Sequence, residues 1–128
     1  MKLVEILESV EWRTIKDWPN YEVSADGRVR NKVTMKEIAQ WKSRRNGGGM
    51  DLRVSLWKNG IKKGLRVHRL VAMTFLPNPN DLPEVDHNDA NTFNNNVSNL
   101  EWVTSSQNSY RRGARIEEYL YVINRDVI

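Results

Sequence analysis

Between Asp86 and Asn108 the chain reads DHNDANTFNNNVSNLEWVTSSQN, with an acid beside a histidine, a run of asparagines, and a further asparagine after a tryptophan. A carboxylate and an amide oxygen are hard ligands suited to Mg²⁺, an ion that keeps several waters and takes its remaining ligands from substrate phosphate. Asp86 and Asn108 are therefore candidate metal ligands. His87 projects to the opposite side of any strand that also holds Asp86, and its side chain titrates near neutrality. It is a candidate base for a water attacking phosphorus. The chemistry these residue types allow is one-metal phosphodiester hydrolysis.

Such residues need rigid elements. Glu84-Val85-Asp86-His87 and Leu100-Glu101-Trp102-Val103 read as two short strands able to pair as a hairpin. Of the twelve residues from Asn88 to Asn99 six are Asn, a residue that tolerates left-handed backbone and bonds its own neighbours, so the loop can be stiffened by side-chain amides. Thr104 and Gln107 have the spacing of a capping box that starts a helix at Ser105, and Gly113 supplies a stop. The order is strand, loop, strand, helix, with Asn108 one turn into the helix and able to face Asp86.

The pattern D-H-x-D-x-N-x-x-N-N-x-x-x-N-L-x-W-V-T-x-x-x-N resembles the signature of HNH endonucleases of the phage and group I intron homing type. It is carried here by Asp86, His87, Asp89, Asn91, Asn94, Asn95, Asn99, Leu100, Trp102, Val103, Thr104 and Asn108. Upstream, Val67 to Pro79 (VHRLVAMTFLPNP) resembles the family's approach to the nuclease motif. Glu11 to Arg30 (EWRTI, YEVS, GRVR) resembles the small DNA-binding module that often precedes it. The resemblance covers roughly residues 11–109. It implies a ββα-metal finger in which Asp86 and Asn108 bind the divalent metal, His87 is the general base, and Asn99 braces the loop and orients the catalytic strand. Asp89, Asn91, Asn94 and Asn95 are read as loop-shaping groups. Cleavage of this kind leaves 5′-phosphate and 3′-hydroxyl ends, with Mg²⁺ as the expected cofactor and Mn²⁺ or another divalent cation as substitutes.

The chain has 128 residues, a length typical of one domain, with 20 basic and 16 acidic side chains. The balance says less than its distribution. Residues 28–69 hold thirteen Lys and Arg against Glu37 and Asp51, whereas residues 76–128 hold four basic and eight acidic residues. A basic region attracts phosphate and releases counterions, and an acidic one can hold a cation. Leu52 to Trp57 and Ile61 to Val67 read as strands joined by a Lys58-Asn59-Gly60 hairpin. Such a sheet can lay Arg53, Lys62 and Arg66 along a DNA backbone. The loop Arg44 to Gly49 is a basic segment able to contact DNA. The full set of expected DNA-contacting residues is Arg28, Arg30, Arg44, Arg45, Arg53, Lys62, Lys63, Arg66 and Arg69.

Trp12, Trp18, Trp41 and Trp57 are expected to be core or half-buried, and Trp102 to pack under the finger. His68 is expected to cap or pack where a strand hands over to a helix over 69–75, whose Leu70, Val71 and Phe75 form an apolar face ended by Pro77. There is no Cys, which excludes zinc-braced variants and any disulfide framework. No apolar run reaches membrane-spanning length and no secretory pattern is present. The expected location is cytoplasmic, in a bacterial host cell if the chain is phage-encoded.

The expected fold class is α+β. A basic β-rich DNA-binding region over 1–66 precedes the nuclease finger over 67–113 and an extension over 114–128. In the extension Ile116, Leu120, Ile123 and Val127 are spaced for one helical face, and a strand over 118–124 fits equally. The larger intron-encoded relatives carry a further helix-turn-helix module after the nuclease, so a short footprint, a relaxed preference or dimerisation is expected. The expected activity is metal-dependent endonuclease cleavage of double-stranded DNA, nicking or double-stranded, by a free-standing homing-type enzyme acting as monomer or homodimer. The alternative is a non-catalytic DNA-binding protein that keeps the finger as scaffold.

Overall fold

The computed structural model describes residues 10–45 and 49–115. Strands β1 (Trp12–Ile15), β2 (Trp18–Ser24) and β3 (Val29–Asn31) form one antiparallel sheet. Strands β4 (Trp41–Arg44), β5 (Met50–Lys58) and β6 (Ile61–Arg66) form a second. Helix α1 (Val67–Phe75) follows, then a hairpin of β7 (Glu84–His87) and β8 (Leu100–Val103) with a 3-10 turn at Val97–Asn99 between them, and last a helix α2 over 105–115. The class is α+β with antiparallel sheets, and β7, β8 and α2 make the expected ββα finger.

The two sheets arise from alternation and turn chemistry. In β5, Val54 and Leu56 are buried, while Arg53, Ser55 and Trp57 lie on the other face, as a period of two demands. Asn59 (φ 52) and Gly60 (φ 76) both adopt left-handed angles, the requirement of a two-residue hairpin turn of the primed type. Trp41 and Trp57, expected to be at least half-buried, are 40% and 53% exposed. They fall on the face of β4 and β5 turned away from the core, and Trp41 lies against Gly64, where no side chain covers it.

Helix α1 starts at Val67, earlier than expected, directly from the last residue of β6. The reason lies in its apolar spacing: Val67, Leu70 and Val71, at positions i, i+3 and i+4, are all buried, so the helix begins two residues sooner. The helix packs on both sheets and on the finger, and one buried cluster runs from Ile15 and Val23 through Leu56 and Val71 to Val85 and Leu100. The finger therefore stands on the same core as the sheets.

Helix α2 opens with the expected capping box. The Gln107 amide N–H donates to Thr104 Oγ1 and the Thr104 N–H donates to Gln107 Oε1, both at 3.0 Å. Gly113 does not stop it, because the helix continues to at least residue 115 and Gly113 keeps an ordinary helical φ. The expected helical face of Ile116, Leu120, Ile123 and Val127 and the centre of the Arg44 to Gly49 loop lie outside the described residues. Among the described residues no helix is long and apolar enough to cross a membrane.

Candidate active site

The asparagine loop is held by an internal network. Asn99 donates from Nδ2 to Asp89 Oδ1 and to the Asn94 carbonyl, both at 2.9 Å, and accepts from the Asp89 N–H at 3.0 Å. Asp89 also accepts from the Asn91 N–H and from Asn94 Nδ2. These bonds hold the Asp89 carboxyl below its usual range, led by the bond from Asn94. Asn99 is thus the central brace of the loop, and its buried side chain bonds Asp89 and Asn94 and not the His87 ring.

That contact belongs to Asn95. His87 is 3% exposed and its Nε2–H donates to Asn95 Oδ1 at 2.7 Å. A carboxamide oxygen only accepts, so this bond puts the proton on Nε2 and leaves the lone pair on Nδ1. Burial pulls the His87 pKa below its ordinary value, opposed by the Asn95 bond and assisted by the charge of Arg45. The ring is neutral at neutral pH, as a base must be. Behind it lies His68, with ring centroids 5.1 Å apart. His68 is buried within α1, and burial, followed by the neighbouring His87 and Arg45, pushes its pKa down to about 3.

Asn95 is fixed in turn by the first sheet. Gly27, in the β2–β3 turn with φ +89, approaches so closely that a Cβ there would come within 2.9 Å of Asn95 Cβ. The Val97 N–H donates to the Ala25 carbonyl at 2.8 Å, and Gln40 Nε2 donates to the Gly27 carbonyl at 2.8 Å. Glycine is required here on two counts, the positive φ and the missing Cβ.

Asp86 points to the other side of β7 and is 5% exposed. Arg115 donates to it from Nη2 at 2.9 Å and Nη1 at 3.2 Å, and Arg111 Nη1 donates at 3.2 Å. Arg115 also reaches the His87 carbonyl at 3.3 Å, and Arg111 bonds Glu101 at 2.9 Å. Glu101 is the cross-strand partner of Asp86, so Arg111 bridges two like charges that would otherwise repel. Burial raises the Asp86 pKa, but Arg115 and Arg111 outweigh it and hold the carboxyl below its usual range. Asn108 faces the same strand surface one step away, donating from Nδ2 to Glu84 Oε2 at 2.7 Å. That bond fixes the amide so that Oδ1, the atom a hard cation would take, has no partner among the described residues.

The expected DNA-contacting residues separate into two groups. Arg28 pairs with Asp26 and Glu37 and lies over Trp12. Arg30 pairs with Glu22 at 3.0 Å and stacks on the same ring. Arg53 and Arg66 converge on the fully buried Asp51, and Arg69 donates to the Pro83 carbonyl at 2.8 Å. These five each have an acceptor within the fold. Arg44, Lys62 and Lys63 are exposed and have no ion pair among the described residues. Arg45 is half-buried with an Nε that finds no partner, and its charge reaches both histidines.

Sequence reasoning passed over Asn95 as a positioning group, and it did not anticipate Glu84, Arg111, Arg115 or Gly27. A usable signal existed for the arginines: Asn108, Arg111 and Arg115 share one helical face. Placing the helix stop at Gly113 hid it. Nothing local in the sequence links Gly27 to Asn95.

Residues 65–110 match the HNH endonuclease family and residues 11–64 match the NUMOD4 motif. An uncharacterized HNH endonuclease of Acanthamoeba polyphaga mimivirus is 45% identical over 89 residues, 70% of this chain and 26% of that protein. DNA endonuclease I-HmuI of Bacillus phage SP01 is 37% identical over 100 residues, 77% of this chain and 55% of the relative. A solved structure of DNA binding and cleavage by the HNH homing endonuclease I-HmuI superposes with a TM-score of 0.69 at 36% identity, covering 82% of this chain and 59% of that one. The chain thus spans about a quarter to about three fifths of these proteins' lengths. Two adjoining motif matches and the structural superposition agree: the chain carries an HNH endonuclease domain over residues 65–110, with a NUMOD4 motif over residues 11–64 ahead of it.

Proposed function

We propose that the chain is a divalent-metal-dependent DNA endonuclease, a free-standing homing-type nuclease that hydrolyses phosphodiester bonds in duplex DNA. The observation that carries this reading is the placement of Asp86 and His87 on opposite faces of β7, with His87 Nε2 2.7 Å from Asn95 Oδ1 and burial lowering the pKa of the ring. His87 removes the proton from the attacking water, Asn95 fixes the ring, and Asn99 keeps the loop from yielding. Asp86 and Asn108 Oδ1 are hard oxygen donors that fit Mg²⁺ or Mn²⁺, and Glu84 orients the Asn108 amide toward that use. A cation bound there supplies charge stabilisation at the scissile phosphate and the leaving oxygen. Exposed Arg44, Lys62 and Lys63, with half-buried Arg45, supply phosphate attraction from the preceding region.

A second reading has one observation in its favour. A carboxylate wholly paired with arginines is what a structural scaffold would hold, and a finger that only binds DNA needs no metal. Incubating supercoiled plasmid with the protein and Mg²⁺, Mn²⁺ or EDTA separates the two. The endonuclease reading expects nicked or linear plasmid with the metals and none with EDTA. Binding with intact plasmid in every condition would leave the scaffold.

A further inference from the structure

We propose that Arg111 and Arg115 are internal counterions which a divalent cation has to displace from Asp86, so that one face of α2 gates metal entry. The inference rests on the metal reading of Asp86 given above. Asp86 is nearly buried, and every hydrogen bond its carboxylate makes among the described residues comes from these two guanidiniums. A buried carboxylate needs compensating charge in any state of the protein. Two guanidiniums carry the same charge as one divalent cation, so exchange of one for the other leaves the site electrically balanced.

The arginines are built to leave. Their side chains are about one third exposed, at 33% and 32%, against 6% for Asp86, so the long stems have a route to solvent while the carboxylate stays. They also differ from each other. Arg111 already bonds Glu101 through both terminal nitrogens, at 2.9 and 3.4 Å, and keeps that partner when it releases Asp86. Arg115 has only Asp86 and the His87 carbonyl among the described residues. Arg115 is therefore the stronger competitor, because its departure exchanges two contacts for water alone among the described residues, whereas Arg111 keeps Glu101.

Isothermal titration of the DNA-free protein with Mn²⁺ tests this without any activity measurement. Arg111→Gln/Arg115→Gln should bind Mn²⁺ about tenfold or more tightly than the parent, since hydrogen bonds to a charged group typically exceed the 1.4 kcal/mol that tenfold represents. Arg115→Gln alone should account for most of the gain, and Asp86→Asn should lose binding. Unchanged or weaker affinity in the double variant, with binding still lost in Asp86→Asn, overturns the counterion role and leaves the metal reading standing. Parental affinity in Asp86→Asn overturns both. Should the double variant not fold, the arginine side-chain N–H resonances of the parent decide: Mn²⁺, or Mg²⁺ where line broadening intervenes, should shift those of Arg111 and Arg115, and positions unchanged through saturation overturn the proposal.

Discussion

Asp86 and His87 are consecutive in the chain, yet separate parts of the molecule hold them. Asp86 faces α2 and is answered by Arg111 and Arg115, both carried on one helical face that follows the hairpin. His87 faces inward and is answered by Asn95, which is wedged in place by Gly27 of the first sheet, and by His68 of α1 behind the ring. The Asp86 side is built from the finger's own sequence, whereas the His87 side is set by contacts from distant segments. A strand that alternates its side chains lets one dipeptide serve two environments, one charged and partly open, the other neutral and closed.

The largest effect should come from splitting the pair. His87→Ala should reduce the proposed hydrolysis by ~10²–10⁴, the usual contribution of a general base, while Mn²⁺ affinity in the same preparation stays at the parental value. Asp86→Ala should lose both. Single-turnover cleavage alongside calorimetry reads the difference, and a His87→Ala protein that cleaves at the parental rate removes His87 from the chemistry.

A smaller effect should reach His87 from the first sheet. Gly27→Ala introduces a Cβ against Asn95 and places a non-glycine residue at φ +89, strain of about 1–3 kcal/mol. Denaturant unfolding should show that loss. In the folded fraction, cleavage should fall by as much as ~10²-fold, the penalty a misplacement of about 1 Å can carry. Mn²⁺ affinity should not change, because the Asp86 side has no contact with this turn. A parallel loss of metal affinity would mean that the two sides are not independently supported.

The finger was readable because its signals are local: the two short strands, the reciprocal Thr104 and Gln107 cap and the amide-rich loop all lie within a few residues of what they shape. Asn59 and Gly60 announced the β5–β6 turn for the same reason. Two kinds of feature were not readable. A glycine does not declare whether it ends a helix, and the helix runs through Gly113 to carry Arg115. Long-range contacts leave no spacing to read, so Gly27 against Asn95 was not visible. Charge counting has a similar limit: it does not show that Arg28, Arg30, Arg53, Arg66 and Arg69 each find a partner within the fold.

The closed environment of His87 has a consequence for pH. His68 titrates at 6.5 in an unfolded chain and is pushed down to about 3 in the fold, so between these values the unfolded state binds the extra proton. Stability from this group is full above pH 6.5 and is lost as pH falls, by about 1.4 kcal/mol per unit. At pH 4.5 the parent should be weaker by roughly 2–3 kcal/mol on that account. His68→Gln, which does not titrate, should flatten the slope of stability against pH over that window, with a residue from His87, whose pKa is lowered in the same direction. Urea unfolding at a series of pH values measures it, and equal slopes in parent and variant would mean that His68 is not held neutral.

The smallest effect tests the Asp86 side alone. Gly113 lies on α2 between Arg111 and Arg115, and nothing stands within 4 Å of where its Cβ would be. A glycine inside a helix costs about 0.5–1 kcal/mol relative to alanine, chiefly through the freedom it allows the unfolded chain. Gly113→Ala should therefore raise unfolding stability by up to that amount. A glycine acting as a left-handed helix stop would respond oppositely, losing stability when a Cβ is forced onto positive φ. The substitution should leave Asn95 and His87 undisturbed and stiffen the segment that carries both arginines. If those arginines compete for Asp86, Mn²⁺ affinity should fall slightly, because a better-ordered helix holds its guanidiniums on the carboxylate for a larger fraction of the time. Stability that rises while metal affinity rises with it would show that α2 does not restrain the site.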